Sequence, residues 1–112
     1  MALVMIVHEL ATNAAKYGAL SVPEGRVTIA WRREGDPAGD RIHVEWMEAG
    51  GPRVTVPSRQ GFGTKLIERS TEHELGGEAH LEYRNEGFRC VLIFPWTDVS
   101  DRNRGIARYG QK

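Results

Sequence analysis

Two pairs of segments in which apolar and polar residues alternate constrain the fold more than any other feature. The apolar positions of the first pair are Val27, Ile29 and Trp31, followed by Ile42, Val44 and Trp46. The second pair spans residues 79–85 and 88–94, and Gly87 between them can take the positive φ angle of a tight turn. Alternation on both sides of a short turn predicts an antiparallel hairpin with one buried face. We therefore expect two hairpins.

Two other segments have the periodicity of helices. Residues 2–20 place one set of side chains on a single helical face: Leu3, Ile6, Leu10, Ala14 and Tyr17. Roughly opposite them lie Glu9, Thr12, Asn13 and Lys16. Gly18, with Pro23 beyond it, is typical of a helix end. A second helix is predicted from about Thr64 to Leu75, with four inward positions: Leu66, Ile67, Ser70 and Leu75.

The order of these elements is helix, two strands, a connection rich in Gly and Pro, helix and two strands. This order is typical of an α+β fold, a two-layer α/β sandwich in which helices cover one face of a mostly antiparallel sheet. We expect Trp31, Trp46 and Cys90 in its core, and His43 and His80 at its surface.

Charge and composition exclude several classes of protein. Fifteen Lys and Arg balance fifteen Asp and Glu, so the chain lacks the field that drives non-specific binding to nucleic acids or acidic membranes. No apolar run approaches the roughly 18 residues that span a bilayer, and residues 1–11 lack the basic start of a signal peptide. The single Cys90 permits no internal disulfide, which fits a reducing cytoplasm. We expect one cytoplasmic domain, with a polar tail over residues 97–112.

The polar stripe of the first helix carries the sharpest local hint of chemistry. Glu9 and Asn13 are four residues apart and Lys16 follows three later, so the three side chains can reach one volume. An amide oxygen can ligate a hard cation, an ammonium can neutralise phosphate, and a carboxylate can accept a proton. On spacing alone, a solvated helix face is the more common explanation.

Glycine and histidine motifs elsewhere are less specific. Gly61-Phe62-Gly63 precedes a helix whose backbone N–H groups can attract phosphate, although glycines also serve ordinary turns. The segment matches neither a Walker loop nor a dinucleotide fingerprint. His8-Glu9 and His73-Glu74 begin like a zinc-protease HExxH motif, but its last position holds Thr12 or Gly77. Metal hydrolysis therefore has no support.

Taken in order, the motifs resemble the ATP-binding domain of HWE-type sensor histidine kinases. That domain has the Bergerat fold of the superfamily shared with DNA gyrase, the mismatch-repair protein MutL and a heat-shock chaperone. Residues 8–20, HELATNAAKYGAL, are similar to the family N box, and residues 46–52 contain its Trp-x-Glu motif. Residues 61–63 and 66–69 continue the match. The resemblance runs from about residue 2 to residue 96 and is specific, which implies a partial domain of this kind over residues 1–96.

The resemblance implies roles for the N-box residues. Asn13 would hold the Mg ion that bridges the phosphates of ATP. Glu9 would orient or deprotonate the incoming histidine, as the catalytic residue. Lys16 and Tyr17 would contact phosphate and ribose. His8 is diagnostic of the subfamily without a firm chemical role.

The resemblance also implies a nucleotide pocket beyond the N box. Glu48 would accept a hydrogen bond from the adenine amino group, and Gly50 would let the backbone approach the base. Gly61 and Gly63, with Phe62 between them, would bound the lid and present N–H groups to phosphate. Residues 51–60 leave room only for an abbreviated lid.

The resemblance further implies partners that this sequence does not contain. Kinases of this type transfer phosphate to a histidine on a dimerisation domain and then to a response regulator. Residues 1–112 contain neither that domain nor the helix and strand that usually precede the N box, so autophosphorylation by this chain alone is not expected.

Two competing hypotheses remain. One is a non-catalytic interaction module, which would form homodimers through an exposed apolar face on the first helix. The other, a serine kinase of the anti-sigma type on the same fold, lacks the support of the Trp-x-Glu motif and ranks last.

Overall fold

The structure, a computed structural model, describes residues 2–36, 39–54 and 62–96. Its elements are the helix α1 (Ala2–Lys16), a short 3-10 turn (Ala19–Ser21), the strands β1 (Arg26–Asp36) and β2 (Gly39–Ala49), the helix α2 (Phe62–Arg69) with a π-helical turn after it (Ser70–Glu74), and the strands β3 (Glu78–Arg84) and β4 (Gly87–Pro95). The predicted order of elements is thus confirmed, and the fold is α+β. Part of the predicted lid and the polar tail lie outside the described residues.

The sheet confirms both predicted hairpins and joins them. Its strand order is β1-β2-β4-β3, and every neighbouring pair is antiparallel. Trp46 of β2 lies opposite Ile29 of β1 on one side and Cys90 of β4 on the other. Gly87 opens β4 with a φ of 150°, as its place in the turn predicts. The two hairpins therefore form one sheet, with β2 and β4 at its centre.

The apolar face of α1 is largely the predicted one. Its buried residues are Ala2, Ile6, Leu10 and Ala14. Tyr17 is 75% exposed, so its predicted inward position is wrong, because α1 ends at Lys16 and the chain turns away. Within the polar stripe, Glu9 and Asn13 are half-buried. These two side chains flank the buried face of the helix and do not lie opposite it.

The second helical segment differs from its prediction in form. The α-helical hydrogen-bond pattern changes after Arg69 into a π-helical turn. Ile67 and Ser70 are buried as expected, and Thr71 is buried with them. The Thr71 hydroxyl donates a hydrogen bond of 2.7 Å to the Ile67 carbonyl, which satisfies it inside the core.

The core lies between the two helices and the inner face of the sheet. It consists of Ile6, Leu10, Ala14, Trp46, Ile67, Cys90, Leu92 and Phe94. Trp46 and Cys90 are thus confirmed as core residues, and burial raises the pKa of the Cys90 thiol to about 12. Apolar contact on this scale is the main source of stability in a small domain.

Two side-chain predictions need correction. Trp31 shares the inner face of the sheet but is 73% exposed, because β1 packs mainly on β2 and the 3-10 turn. His80 is exposed on the edge strand β3, as predicted. His43 is half-buried, because it lies on the central strand β2, where it forms an ion pair with Glu34 if its ring is protonated.

Among the described helices, none is long and apolar enough to cross a membrane.

Candidate functional site

A buried carboxylate connects the sheet to the 3-10 turn that follows the first helix. Glu48, near the end of β2, is only 8% exposed. Its Oε2 accepts a hydrogen bond of 2.8 Å from the indole Nε1 of Trp46, and its Oε1 accepts one of 3.0 Å from the backbone N–H of Ala19. Hydrogen bonds to an ionised acceptor are stronger than neutral ones. We call this arrangement of Trp46, Glu48 and Ala19 the Glu48 clasp.

The alternation of side chains along β2 explains the contact between Trp46 and Glu48. Side chains two residues apart point to the same face of a sheet, so the Trp46-x-Glu48 spacing places indole and carboxylate side by side. That face is the one covered by the helices, and Trp46 is 4% exposed there. The indole supplies apolar area to the core and donates its N–H to the Glu48 carboxylate.

Close packing of the backbone explains the contact between Glu48 and Ala19. A Cβ added to Gly18 would lie 2.2 Å from Glu48 Oε1, so a larger residue before Ala19 would push the carboxylate away from the backbone N–H that it contacts. Gly50 has a φ of 74°, and a Cβ there would lie 2.6 Å from the Glu24 carbonyl oxygen. The chain after β2 therefore runs in contact with the loop that follows α1.

The N-box side chains lie on the helix that leads into the clasp. Glu9 and Asn13 are one turn apart on α1 and half-buried, and within the described part of the chain neither side chain forms a hydrogen bond or an ion pair with another residue. Their oxygens are hard donors of the kind that Mg prefers, so the donor set fits this ion. Lys16 and Tyr17 are exposed where α1 ends.

The structure thus brings some of the predicted site residues together. Glu48 accepts a hydrogen bond from the backbone N–H of Ala19, two residues after Tyr17. The N box and the Trp-x-Glu motif are therefore neighbours in space. Gly50 directly follows β2. Gly61 lies outside the described residues, while Phe62 and Gly63 open α2. The binding roles assigned to these residues stay predictions.

The outer face of the sheet carries a second polar cluster, beside a groove of about 250 Å³. Arg89 donates hydrogen bonds to Glu45 at 2.5 Å and to Glu82 at 2.8 Å, and the bond to Glu45 raises the pKa of Arg89. The hydrogen bond from Arg32 lowers the pKa of Glu34. These charged side chains form ion pairs with one another across and along the strands, so the cluster supports the pairing of the strands.

Sequence reasoning missed the two hydrogen bonds of the clasp. Trp46 was predicted as a core residue and as part of the Trp-x-Glu motif, but its hydrogen bond to Glu48, which the spacing could have indicated, was not predicted. The Ala19 N–H carries no sequence signal, because any residue but proline supplies a backbone donor. Only the fold shows that the donor and the carboxylate meet.

Proteins with similar sequences carry the name of the class that the motifs indicate. The chain is 37% identical over 97 residues to a blue-light-activated histidine kinase of Brucella ovis, which covers 87% of this chain and 20% of that protein. A protein of the same description from Rhizobium johnstonii is 36% identical over 93 residues, covering 83% of the chain and 26% of the relative. The chain therefore spans about a fifth to a quarter of the relatives' length. No family model matches it.

Solved structures support the same fold. The histidine kinase domain of an Erythrobacter litoralis blue-light activated histidine kinase superposes with a TM-score of 0.63 at 19% identity, covering 84% of this chain and 46% of that one. A longer structure of the Erythrobacter kinase gives a TM-score of 0.61, covering 86% of this chain and 30% of that one.

Sequence and fold together define a catalytic-type domain of a sensor histidine kinase. Within that class, the sequence relatives and the structural neighbours support an HWE-family kinase domain.

Proposed function

We propose that the chain binds ATP with Mg and transfers the γ-phosphate to a histidine on a separate or upstream dimerisation domain, within a two-component system. The observation that carries this proposal is the Glu48 clasp. It fastens a buried carboxylate to the 3-10 turn that follows the helix bearing Asn13 and Glu9. Base recognition and phosphate recognition would then belong to one rigid unit.

The clasp leaves the carboxylate able to bind a base. Each carboxylate oxygen has two lone pairs, and the structure gives each oxygen of Glu48 one internal donor. One acceptor site per oxygen is therefore left for the amino group of adenine. Gly50 brings the backbone close to the same region without a side chain.

The N-box side chains would supply the phosphate end of the site. Asn13 would hold Mg through its amide oxygen, and the ion would neutralise phosphate charge and fix the phosphates in line for transfer. Lys16 and the N–H groups at the start of α2 would contact phosphate oxygens. Glu9 would accept the proton of the incoming imidazole as its nitrogen bonds to the γ-phosphorus and ADP leaves. Positioning and charge neutralisation carry most of such a reaction.

Titration of a fluorescent ATP analogue in the presence of Mg tests the proposal. We expect Asn13→Ala to weaken binding by at least about tenfold, which corresponds to about 1.4 kcal/mol. Asn85→Ala, the same substitution in the exposed turn between β3 and β4, is the matched control and should bind as the wild type does. Equal affinity of the wild type and Asn13→Ala would refute the role of Asn13. Transfer is then assayed with γ-labelled ATP and a separately expressed acceptor domain.

A second candidate function is a non-catalytic interaction module that pairs through its apolar surface. Exposed apolar side chains on α1 and β1 favour it: Val4 at 61%, Met5 at 47%, Ile29 at 45% and Trp31 at 73%. Large exposed apolar groups often mark contact surfaces. Sedimentation analysis distinguishes the two functions, because the module predicts a dimer that Trp31→Lys dissociates and that binds no nucleotide.

A further inference from the structure

We infer that Trp46 is a positioning residue that selects the nucleotide base through Glu48. The inference rests on the proposed function, because it concerns how the same carboxylate distinguishes purines. The indole N–H would hold Glu48 in the one orientation that accepts a hydrogen bond from an exocyclic amino group. A purine that lacks this group would gain nothing from that orientation.

The two donors of the clasp fix the rotation of the carboxylate. The terminal torsion of a glutamate is broad in energy, so an unrestrained carboxylate samples many orientations. In the structure, Trp46 Nε1 holds Oε2 at 2.8 Å while Ala19 N holds Oε1 at 3.0 Å. The donors come from a strand and from the turn after a helix, so neither can follow the carboxylate if it rotates. The lone pairs left for a ligand then have fixed directions.

Burial makes this restraint effective. Trp46 and Glu48 are 4% and 8% exposed, so water competes little for the two hydrogen bonds. Within the described part of the chain, no Lys, Arg or His forms an ion pair with Glu48. The carboxylate is thus held by neutral donors, which leave its negative charge available to a ligand N–H.

The length of the side chain matters as much as its charge. An aspartate at position 48 would be shorter by one methylene, about 1.5 Å of reach. It could not meet both donors, which are set by β2 and by the backbone beside Gly18. The space that Gly18 leaves above Oε1 fits the longer side chain. We therefore expect Glu48→Asp to keep the charge and lose the orientation.

Competition between two nucleotides tests the inference. The probes are ATP and purine riboside triphosphate, the analogue without the 6-amino group, each titrated with Mg against the wild type, Trp46→Phe and Trp31→Phe. Trp46→Phe keeps an aromatic ring in the core but removes the donor, while Trp31→Phe makes the same change at an exposed position of β1. We expect the wild type and Trp31→Phe to prefer ATP by about tenfold or more, and Trp46→Phe to lose most of that preference.

The outcomes separate the two proposals. If Trp46→Phe weakens both nucleotides equally, Trp46 only packs the core and the inference is overturned, while ATP binding stands. If the wild type binds neither nucleotide, the proposed function fails and the inference fails with it. Glu48→Asp is the second variant, for the case that Trp46→Phe unfolds. It should lose the preference for ATP while its thermal transition stays cooperative, and an unchanged preference would overturn the inference.

Discussion

Gly18 lies directly against the Glu48 carboxylate, so a single methyl group there would disturb the clasp. A Cβ at this position would lie 2.2 Å from Oε1 and 3.2 Å from the Ala14 Cα. Overpacking of this kind costs about 1–3 kcal/mol. We expect Gly18→Ala to lower the free energy of unfolding by this amount in urea titrations.

A double-mutant cycle attributes that cost to the carboxylate. In a Glu48→Ala background the obstructing oxygen is gone, so Gly18→Ala should cost about 1 kcal/mol less than it does in the wild type. Additive effects of the two substitutions would show that Gly18 and Glu48 do not interact.

Cys90 provides a pH prediction at the same scale. Burial raises the pKa of its thiol to about 12 from an ordinary value near 9. The thiol of the unfolded chain therefore deprotonates first as pH rises, and the folded state loses stability progressively from about pH 9 to about pH 12. Between about pH 8 and pH 10.5 we expect this to remove about 2 kcal/mol.

Comparison with Cys90→Ala isolates this effect from other alkaline titrations. The difference in unfolding free energy between the wild type and Cys90→Ala should shrink by that amount over the same pH interval. A difference that stays constant with pH would mean that the thiol titrates alike in both states.

At the scale of elements, the packing of α2 into the core holds the helices against the sheet. Ile67 is 1% exposed and belongs to the same buried cluster as Ile6 and Leu92. Truncation of such a residue leaves a cavity, so Ile67→Ala should cost about 2–5 kcal/mol and Ile67→Val about 0.5–1.5 kcal/mol. Val4→Ala, on the exposed side of α1, is the control and should change stability by less than about 0.5 kcal/mol. Equal losses at positions 67 and 4 would contradict the assigned core.

The strands show how far sequence reasoning reaches at this scale. Alternation and turn residues predicted both hairpins, because these signals are local. The joining of β2 to β4 carries no local signal, since it depends on which hairpin edges meet after collapse. Alternation also placed Trp31 on the inner face correctly, but it cannot say whether a second layer covers that position. The exposure of Trp31 therefore had to come from the structure.

At the scale of the whole molecule, the candidate site depends on contacts between distant segments. The sequence predicted Glu48 and the N box as separate motifs, and their resemblance to a kinase family implied that they share a ligand. The contact that joins them, from the Ala19 N–H to Glu48, spans 29 residues and was not predictable. Because the net charge of the sequence is zero, the proposed site would have to meet phosphate charge with a few local groups. Ligand binding at the proposed site should therefore stabilise the whole fold against unfolding.

This coupling gives a prediction for thermal unfolding. A ligand that binds only the folded state stabilises it by about 2.7 kcal/mol at a concentration 100 times its Kd. For a domain of this size, ATP with Mg should raise the Tm by more than about 5 °C. Mg alone, and ATP with a chelator, should each give a much smaller shift in differential scanning calorimetry, because phosphate and ion would bind as one unit at Asn13. An equal rise in Tm with and without the chelator would show that nucleotide binding does not need Mg, and it would refute the proposed Mg site.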